Sequence, residues 1–465
     1  MSATALAGQR REGTAILFYE RTIYRHILFF QRTICTVTIR FTLLKRNTDP
    51  YPPSAPLGQM RKIDTRRFVR ATRTTSREIN RQIILNLVRE HQPLSRADIA
   101  RRMNIGRGMI TALVDELLAE DSIYEGATVG APRGRKPMML YVRTRDRLVL
   151  GIDIRFSRTY LMLADFSGTP VVMETFDTIT DPIALIAELA TRIKRLIAAH
   201  KGAGTCEGIG MVVPGMTDQR TGRVLFAPQL GWRDVSLRDA LSAATGLPVQ
   251  IENAPIACAL AQMWLGKRGT DTPTDFVYVT VSDGVGAGIV MNGEVVRGAA
   301  QTAGEFGHVP IDVNGPRCLC GATGCLEAFT SNLATLSRYL GQELSATNTR
   351  RVLAESGLTI NDVIARARAG EERARAALQE TARCLGLGLA MIINALNPAQ
   401  IYIGGEITAA WEDLAPTIKE AIRARALTDA GAATPIIPEP ASDHPRLRGA
   451  TALIAAPNFA APRLA

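Results

Sequence analysis

The stretch GEFGHVPIDVNGPRCLCGATGCLE, residues 304–327, contains one of the five histidines and three of the seven cysteines in the chain. Cys318, Cys320 and Cys325 lie within eight residues, among glycines, and follow a Gly-Glu-x-Gly-His sequence that ends at His308. One imidazole and three thiolates form a complete tetrahedral set for structural zinc, with no position left for a reactant. A loop with incidental thiols is the alternative, which this clustering disfavours. We therefore predict that these four residues bind zinc.

Length and composition limit the class of protein around this stretch. A chain of 465 residues indicates two or three domains, and a hydrophobic content of 46% is enough for substantial cores. Charged residues or prolines interrupt every apolar run before the roughly 18 to 20 residues that a membrane helix needs. The odd number of cysteines and the lack of a convincing secretory signal favour a reduced, cytoplasmic protein without a membrane partner.

Positive charge is concentrated in the first third of the chain. Residues 1–147 hold 27 Lys and Arg against 13 Asp and Glu, whereas residues 148–465 hold 28 against 31. Such asymmetry indicates a nucleic-acid-binding front end on a nearly neutral body. The alternative is a solvated basic surface without a partner.

The first sixty residues are apolar but studded with arginine, and they end in YPPSAP. They lack the uninterrupted apolar core of a signal peptide. We expect an extension at 1–60 that is disordered or that results from a mis-assigned start codon, with translation beginning at Met60. A transit peptide is the remaining alternative.

Three further parts follow the extension. Helical spacing and turn signals predict a DNA-binding domain, and strands that alternate with helices predict two α/β lobes, the second of which carries the zinc motif. The predicted bounds are 61–147 for the DNA-binding domain, 148–270 for the first lobe, which a helix at about 440–456 completes, and 271–439 for the second lobe.

The DNA-binding domain is predicted from a helix-turn-helix pattern. Ser95 is a candidate N-cap of the second helix, because Asp98 follows three residues later in the position of a capping box. After the short turn NIG, a third helix carries its apolar residues on one face. In such a unit this last helix enters the major groove. Its exposed start holds the candidate DNA contacts Arg107, Met109 and Thr111.

A hairpin is predicted after these helices. The segments SIYEG and MMLYV flank the tip GAPRGRKP, which contains Arg133, Arg135 and Lys136. A narrow, cationic finger of this kind suits the minor groove of A·T-rich DNA. Small helical trios also mediate protein contacts, but the order and charge of these elements resemble a winged helix-turn-helix. Gly106 and Gly108 weaken the start of the recognition helix by roughly 1 kcal/mol each, so we expect DNA to help order it.

The zinc stretch and the sequence around it contain four motifs that resemble those of the ROK family, which groups sugar kinases with sugar-responsive repressors. They read GIGMVVPGMTDQRTGRVLFAPQLGW, VTVSDGVGAGIVMNGEVVRGAAQTAGEFGH, CLCGATGCLEAFTS and LNPAQIYIGGEI. The resemblance covers residues 76–456. The winged helix-turn-helix, or head, that precedes these motifs matches the branch of the family that contains the repressors. It implies a pair of actin-like, ribonuclease-H-like α/β lobes with a cleft between them.

The resemblance also implies a sugar site. Carried over motif by motif, the residues that hold sugar hydroxyls are Asn253, Glu305, His308 and Glu327. Carboxylates and amides bind vicinal hydroxyls well, and His308 would bind zinc through one ring nitrogen and face the sugar with the other. Solvated loop carboxylates are the alternative reading of Glu305 and Glu327.

Two departures from the family indicate that kinase chemistry is lost. A ROK kinase deprotonates the sugar hydroxyl with the Asp of an E-N-D sequence, and Ala254 stands at that position here. The first phosphate loop of the family reads D-x-G-G-T, whereas Arg155 and Phe156 replace its glycines here. The second loop keeps glycines at 284, 286 and 288.

The sequence therefore predicts a cytoplasmic, sugar-responsive regulator, expected to be a repressor rather than an enzyme. We expect it to bind zinc, operator DNA and a sugar or sugar derivative, and to form a homodimer or a higher homo-oligomer. One alternative is a ROK-type ATP-dependent sugar kinase with an accessory DNA-binding head. Another is a DNA-binding protein whose body only dimerises.

Overall fold

The computed structural model describes most of the chain from residue 73 onward. It covers residues 73–126, 137–265, 272–343, 345 and 348–460. The predicted extension at 1–60 lies outside the described residues, and so does the tip of the hairpin with Arg133, Arg135 and Lys136.

Three helices and a three-stranded sheet form the head. These elements are α1 (Arg73–His91), β1 (Leu94–Ser95), α2 (Arg96–Met103), α3 (Arg107–Ala119), β2 (Ile123–Gly126) and β3 (Met139–Val142). The apolar faces of the helices meet in one core around Ile84, Ile99 and Leu113, which are at most 1% exposed. The predicted helices and hairpin are confirmed. Strand β1, which the sequence analysis did not foresee, pairs with β3 and closes the sheet.

The first lobe follows directly. Its elements are β4 (Arg147–Ile154), β5 (Arg158–Asp165), β6 (Pro170–Asp177), α4 (Pro182–Ala199), β7 (Thr205–Val213), β8 (Met216–Asp218), β9 (Arg223–Ala227), β10 (Trp232–Ser236), α5 (Arg238–Thr245), β11 (Val249–Asn253) and α6 (Ala254–Leu265). The main sheet has the order β11-β7-β4-β5-β6, and β8, β9 and β10 form a small antiparallel sheet beside it.

The centre of this sheet is covered on both faces. Leu185, Leu189 and Ile193 recur at helical spacing along α4 and pack on one face, where each is fully buried. Complete burial of such a side chain contributes about 1.5–3 kcal/mol. On the other face, a side chain at Gly210 of β7 would collide with the backbone of Ala450. Glycine at this position lets a helix lie directly on the strand.

The second lobe contains the remaining elements except the last helix. They are β12 (Phe276–Val281), β13 (Val285–Met291), β14 (Glu294–Val295), α7 (Glu327–Thr330), α8 (Asn332–Leu340), α9 (Thr349–Ser356), α10 (Ile360–Arg368), α11 (Glu372–Leu396), β15 (Gln400–Gly404), α12 (Trp411–Arg423), α13 (Asp429–Ala432) and β16 (Ile436–Pro438). The last helix, α14 (Pro445–Ala455), returns to the first lobe and packs across β4 and β7.

Both large sheets have the same topology. The second sheet has the order β14-β13-β12-β15-β16. In each sheet the first three strands in the chain are antiparallel neighbours, and the next two add in parallel on the other side. This shared topology is what a duplicated unit would leave, and it is the ribonuclease-H-like arrangement that the resemblance implied. The domain boundaries drawn from the sequence stay a prediction.

Within the described residues, helix α11 alone is long and apolar enough to cross a bilayer. It lies inside the second lobe, however, and 67% of its most apolar 18-residue window is buried. Leu378, Leu385 and Leu389 pack into the core between this helix and the second sheet. The apolar composition of α11 therefore corresponds to its packing inside the core of the lobe.

Candidate functional site

One cavity brings the four predicted sugar contacts together. Asn253 reaches it from the first lobe, and Glu305, His308 and Glu327 reach it from the second. Gln229, which precedes β10, also lines the cavity. Gln229 was not predicted from the sequence, although it lies within the ROK-like motif that ends in APQLGW. The geometry gives these side chains a shared space, and their role as sugar contacts stays a prediction.

Tight backbone packing fixes the position of the Gly-Glu-x-Gly-His segment. Gly304 has a φ of +94°, and a side chain there would collide with the backbone of Ala287. A side chain at Gly307 would collide with Val285 on the same strand, β13. Both glycines therefore let the segment lie directly on β13, so that Glu305 and His308 face the cavity.

Glu327 is the most deeply buried carboxylate of the group, with 9% exposure. Its Oε2 accepts a hydrogen bond of 2.8 Å from the backbone N–H of Val285. Burial raises the pKa of Glu327, and burial also raises that of Glu305. Gly284 leaves room for the carboxylate, because a Cβ there would lie 2.7 Å from Glu327 Oε2.

Asn253 ends β11, and its side chain positions the next helix. Its Oδ1 accepts a hydrogen bond of 3.2 Å from the backbone N–H of Ile256, in the first turn of α6. Ala254 follows in the cavity wall, where it is 8% exposed. A methyl group therefore lies in the cavity wall at the position where the resemblance would place the proton acceptor of a kinase.

The predicted zinc ligands converge. The ligand atoms of His308, Cys318, Cys320 and Cys325 all lie within 4.8 Å of one another. The Sγ atoms of Cys320 and Cys325 are 3.8 Å apart, and Cys318 Sγ lies 3.8 Å from His308 Nδ1. Tetrahedral zinc with Zn–S bonds of about 2.3 Å needs sulfur atoms at about this separation. The donor set therefore fits zinc.

The same imidazole joins the ligand cluster to the cavity. While Nδ1 of His308 faces Cys318, its Nε2 lies 3.8 Å from Oε2 of Glu305. Glu327 Oε1 lies 3.7 Å from Cys318 Sγ. A metal held here would thus fix the orientation of groups that line the cavity without itself entering it.

Charged side chains fill the end of the cavity where the first phosphate loop would lie. Arg155 pairs with Asp153 at 2.6 Å and with Glu406, and Arg446 pairs with Asp153 at 2.7 Å. Burial alone would lower the pKa of Arg155, but Asp153 and Glu406 outweigh it and raise the pKa. Glu406 and Arg446 were not predicted from the sequence. The acidic residue directly after the Gly-Gly of IYIGGEI was the available signal.

The space beside these charges is very small. A cavity of about 20 Å³ lies between Tyr278, Gly404 and Arg446. A volume of this size holds about one water molecule. Asp283, in the turn between β12 and β13, lines the same cavity as Asn253 and Glu327 and is half-buried. Burial and the charge of Glu406 raise the pKa of Asp283 to about 6.

The head presents the predicted recognition helix. Arg107, Met109 and Thr111 are exposed at the start of α3, and Met109 is 53% exposed. The capping box of Ser95 and Asp98 is confirmed. Gly106 is the N-cap of α3 rather than an interior residue, and glycine is well tolerated at that position. The helix start is therefore less weakened than the sequence analysis expected.

Comparison with known proteins identifies the family of the body. Residues 149–456 match the model of the ROK family. The chain belongs to the ROK family. It is 31% identical over 358 residues to the xylose repressor of Caldicellulosiruptor bescii. The aligned region covers 76% of this chain and 89% of the relative. The predicted fold class is confirmed.

Two solved structures match this ROK protein along different lengths. A ROK family transcriptional regulator, a homolog of the Escherichia coli MLC protein, is 27% identical with a TM-score of 0.67, over 82% of this chain and 97% of its own. A ROK family glucokinase from Streptomyces griseus, in complex with glucose and AMPPNP, is 25% identical with a TM-score of 0.57, over 66% and 98%. The regulator covers 82% of this chain, which is more than residues 149–465 contain. Its match must therefore extend into the head, which precedes residue 149.

Proposed function

We propose that this ROK protein is a sugar-responsive, DNA-binding transcriptional repressor that acts in the cytoplasm as a homodimer or higher homo-oligomer and has lost sugar kinase activity. The observation that supports the proposal is the combination, in one chain, of an exposed helix start at Arg107 with a cavity that gathers Asn253, Glu305, His308 and Glu327 and has the methyl group of Ala254 in its wall. The repressor relatives support the same conclusion, because their similarity includes the head.

Loss of phosphoryl transfer follows from two features of the cleft. Without a general base, the rate falls by roughly a hundred- to ten-thousand-fold. Arg155 and Phe156 also prevent the close backbone approach that a phosphate needs, and Asp283 adds negative charge beside that path. Binding of the sugar requires neither feature.

Operator DNA is the proposed partner of the head. Arg107, Met109 and Thr111 would meet base edges and phosphates in the major groove. The wing residues Arg133, Arg135 and Lys136 would enter the minor groove. Two heads on a dimer would bind two half-sites of a near-palindromic operator.

A sugar is the proposed effector, bound by Asn253, Glu305, His308 and Glu327, with zinc bound by His308 and the three cysteines. The carboxylates and the amide supply hydrogen-bond acceptors and donors for vicinal hydroxyls, and the metal would keep the Glu305 loop in place. Since a curated relative is a xylose repressor, the pentose xylose is the first ligand to test.

Two helices connect the cavity to the head. Helix α6 begins beside Asn253 and ends at the head, where the backbone oxygen of Trp264 accepts a hydrogen bond of 2.9 Å from Arg89 of α1. Helix α14 carries Arg446 at its first turn and leads to Phe459. The Arg89 guanidinium lies 5.1 Å from the ring centroids of both Trp264 and Phe459. A change in cleft closure would thus reach the orientation of the heads.

Titration of the operator with sugars tests this proposal. Genomic fragments that the purified protein binds would provide the operator, and its dissociation constant would be measured with and without xylose, glucose and N-acetylglucosamine. We expect one sugar to change the dissociation constant by at least fivefold, within the usual range of coupling between two sites. Glu305→Ala should abolish this change and leave the sugar-free affinity for DNA intact.

Glu294→Ala is the matched control, because Glu294 is exposed on the same lobe and lies outside the cavity. It should respond to sugar like the wild type. An operator affinity that ignores every sugar, together with no stabilisation of the protein by any of them, would instead support a body that only dimerises.

A further inference from the structure

The turn that joins β4 to β5 makes two contacts with the opposite lobe. The Arg155 guanidinium pairs with Glu406, which follows β15. The ring of Phe156 lies 4.3 Å from the guanidinium carbon of Arg350 on α9. Two separate elements of the second lobe are therefore in contact with two adjacent residues of the first.

The charges in this contact are buried and paired. The side chain of Asp153 is 0% exposed and that of Arg446 is 11% exposed, while Arg155 and Glu406 are each 20% exposed. Opening the cleft would separate Arg155 from Glu406 and leave each with fewer partners. Arg155 is also paired with Asp153 of its own lobe, so it is already oriented toward Glu406 and the pair between the lobes needs little further ordering, which favours the closed cleft.

Glu406 is held in place by its own lobe. Its Oε2 accepts hydrogen bonds of 2.8 Å from Ser282 Oγ and from Asn332 Nδ2. Burial alone would raise the pKa of Glu406, but Arg155 outweighs it and lowers the pKa. The carboxylate is therefore a fixed, charged acceptor that faces the first lobe.

We propose that Arg155 and Phe156 form a clasp between the lobes, which holds the cleft closed without a nucleotide. Both residues also line the cavity of Asn253 and Glu327, so the clasp forms one wall of the proposed sugar site. The clasp contributes part of the free energy that favours the closed form over the open form. A bound sugar then needs to contribute only the rest. The effect on sugar binding rests on the proposed function, whereas the clasp itself requires no ligand.

Hydrogen exchange on the full-length protein, without sugar or DNA, tests the clasp. The variants are Arg155→Gln, which removes the charge and keeps most of the side chain, and Phe156→Ala, which removes the ring. We expect backbone amides of residues 282–285 and of α9 to exchange about tenfold faster in both variants, at the low end of typical site-to-site coupling. Sugar, where it binds, should dissociate about tenfold more readily.

Two comparisons make the test specific. Arg158→Gln is the matched control, since Arg158 lies at the same turn but hydrogen-bonds Thr175 within its own lobe. Its exchange should equal that of the wild type. Glu406→Gln keeps the contacts with Ser282 and Asn332, and its effect should not add to that of Arg155→Gln, because both remove the same ion pair.

Wild-type exchange rates at residues 282–285 and in α9, in both Arg155→Gln and Phe156→Ala, would overturn the proposal. Full additivity of Arg155→Gln and Glu406→Gln would also overturn it. Since hydrogen exchange is measured without sugar, its result does not depend on whether a sugar changes the affinity for the operator. Loss of protection in the clasp variants would support the clasp even if no sugar acts on the protein.

Discussion

Cys320→Ser is expected to release the metal and to abolish the response of DNA binding to sugar. Serine is a poor zinc ligand, and structural zinc contributes about 10–16 kcal/mol of binding free energy in small zinc domains. Without the metal, the loop that carries His308 and Cys325 loses its main constraint, and Glu305 and Glu327 lose their fixed orientation. Metal analysis of the purified variant should show less than about one tenth of the wild-type zinc.

The head is separate from the metal cluster, so sugar-free binding of the operator should survive in this variant. Cys206→Ser is the matched control, because Cys206 is a half-buried thiol in the first lobe and lies outside the cluster. It should keep zinc and the sugar response. A full zinc content in Cys320→Ser would remove Cys320 from the ligand set.

Arg89→Ala is expected to uncouple the head from the body. Arg89 packs between two aromatic rings, each worth about 0.5–2 kcal/mol as a cation–π contact, and its side chain also donates to the backbone of Trp264. The variant should still be stabilised by sugar in a thermal-shift assay, because the cavity is intact. Its operator affinity should change less than about twofold on sugar addition, against at least about fivefold for the wild type.

The control for this prediction is Arg77→Ala. Arg77 lies on the same helix, but its ion pair with Glu116 stays within the head. It should retain the sugar response. If Arg89→Ala responds to sugar as strongly as the wild type, the coupling between cavity and DNA runs through other contacts.

The sequence predicted the parts of the structure that depend on local spacing. The capping box of Ser95 and Asp98 and the apolar face of α3 follow from residues three or four apart, so their pattern is readable without a fold. The cysteines lie within eight residues of one another, and their chemistry limits what they can do. Cys318, Cys320 and Cys325 therefore needed only His308 to complete the cluster.

Contacts between distant parts of the chain could not be predicted in this way. Arg89 meets Trp264 and Phe459, which lie 175 and 370 positions later in the chain. Arg155 was recognised as a departure from a glycine loop, but its partner Glu406 lies 251 residues away. No local pattern distinguishes such an arginine from a solvated one. Only the close approach of the two lobes brings Arg155 and Glu406 together.

The most direct test of the account is a coupled assay for sugar phosphorylation in a preparation that binds sugar. Purified protein would be incubated with ATP, Mg²⁺ and a panel of hexoses, pentoses and amino sugars, while a thermal shift in the same preparation establishes binding. We expect at least one sugar to stabilise the protein, and we expect no turnover above the background rate. Turnover at the roughly 1–100 s⁻¹ of ordinary kinases, lost in Glu305→Ala, would show that the cleft is catalytic with Ala254 in place and would contradict the account.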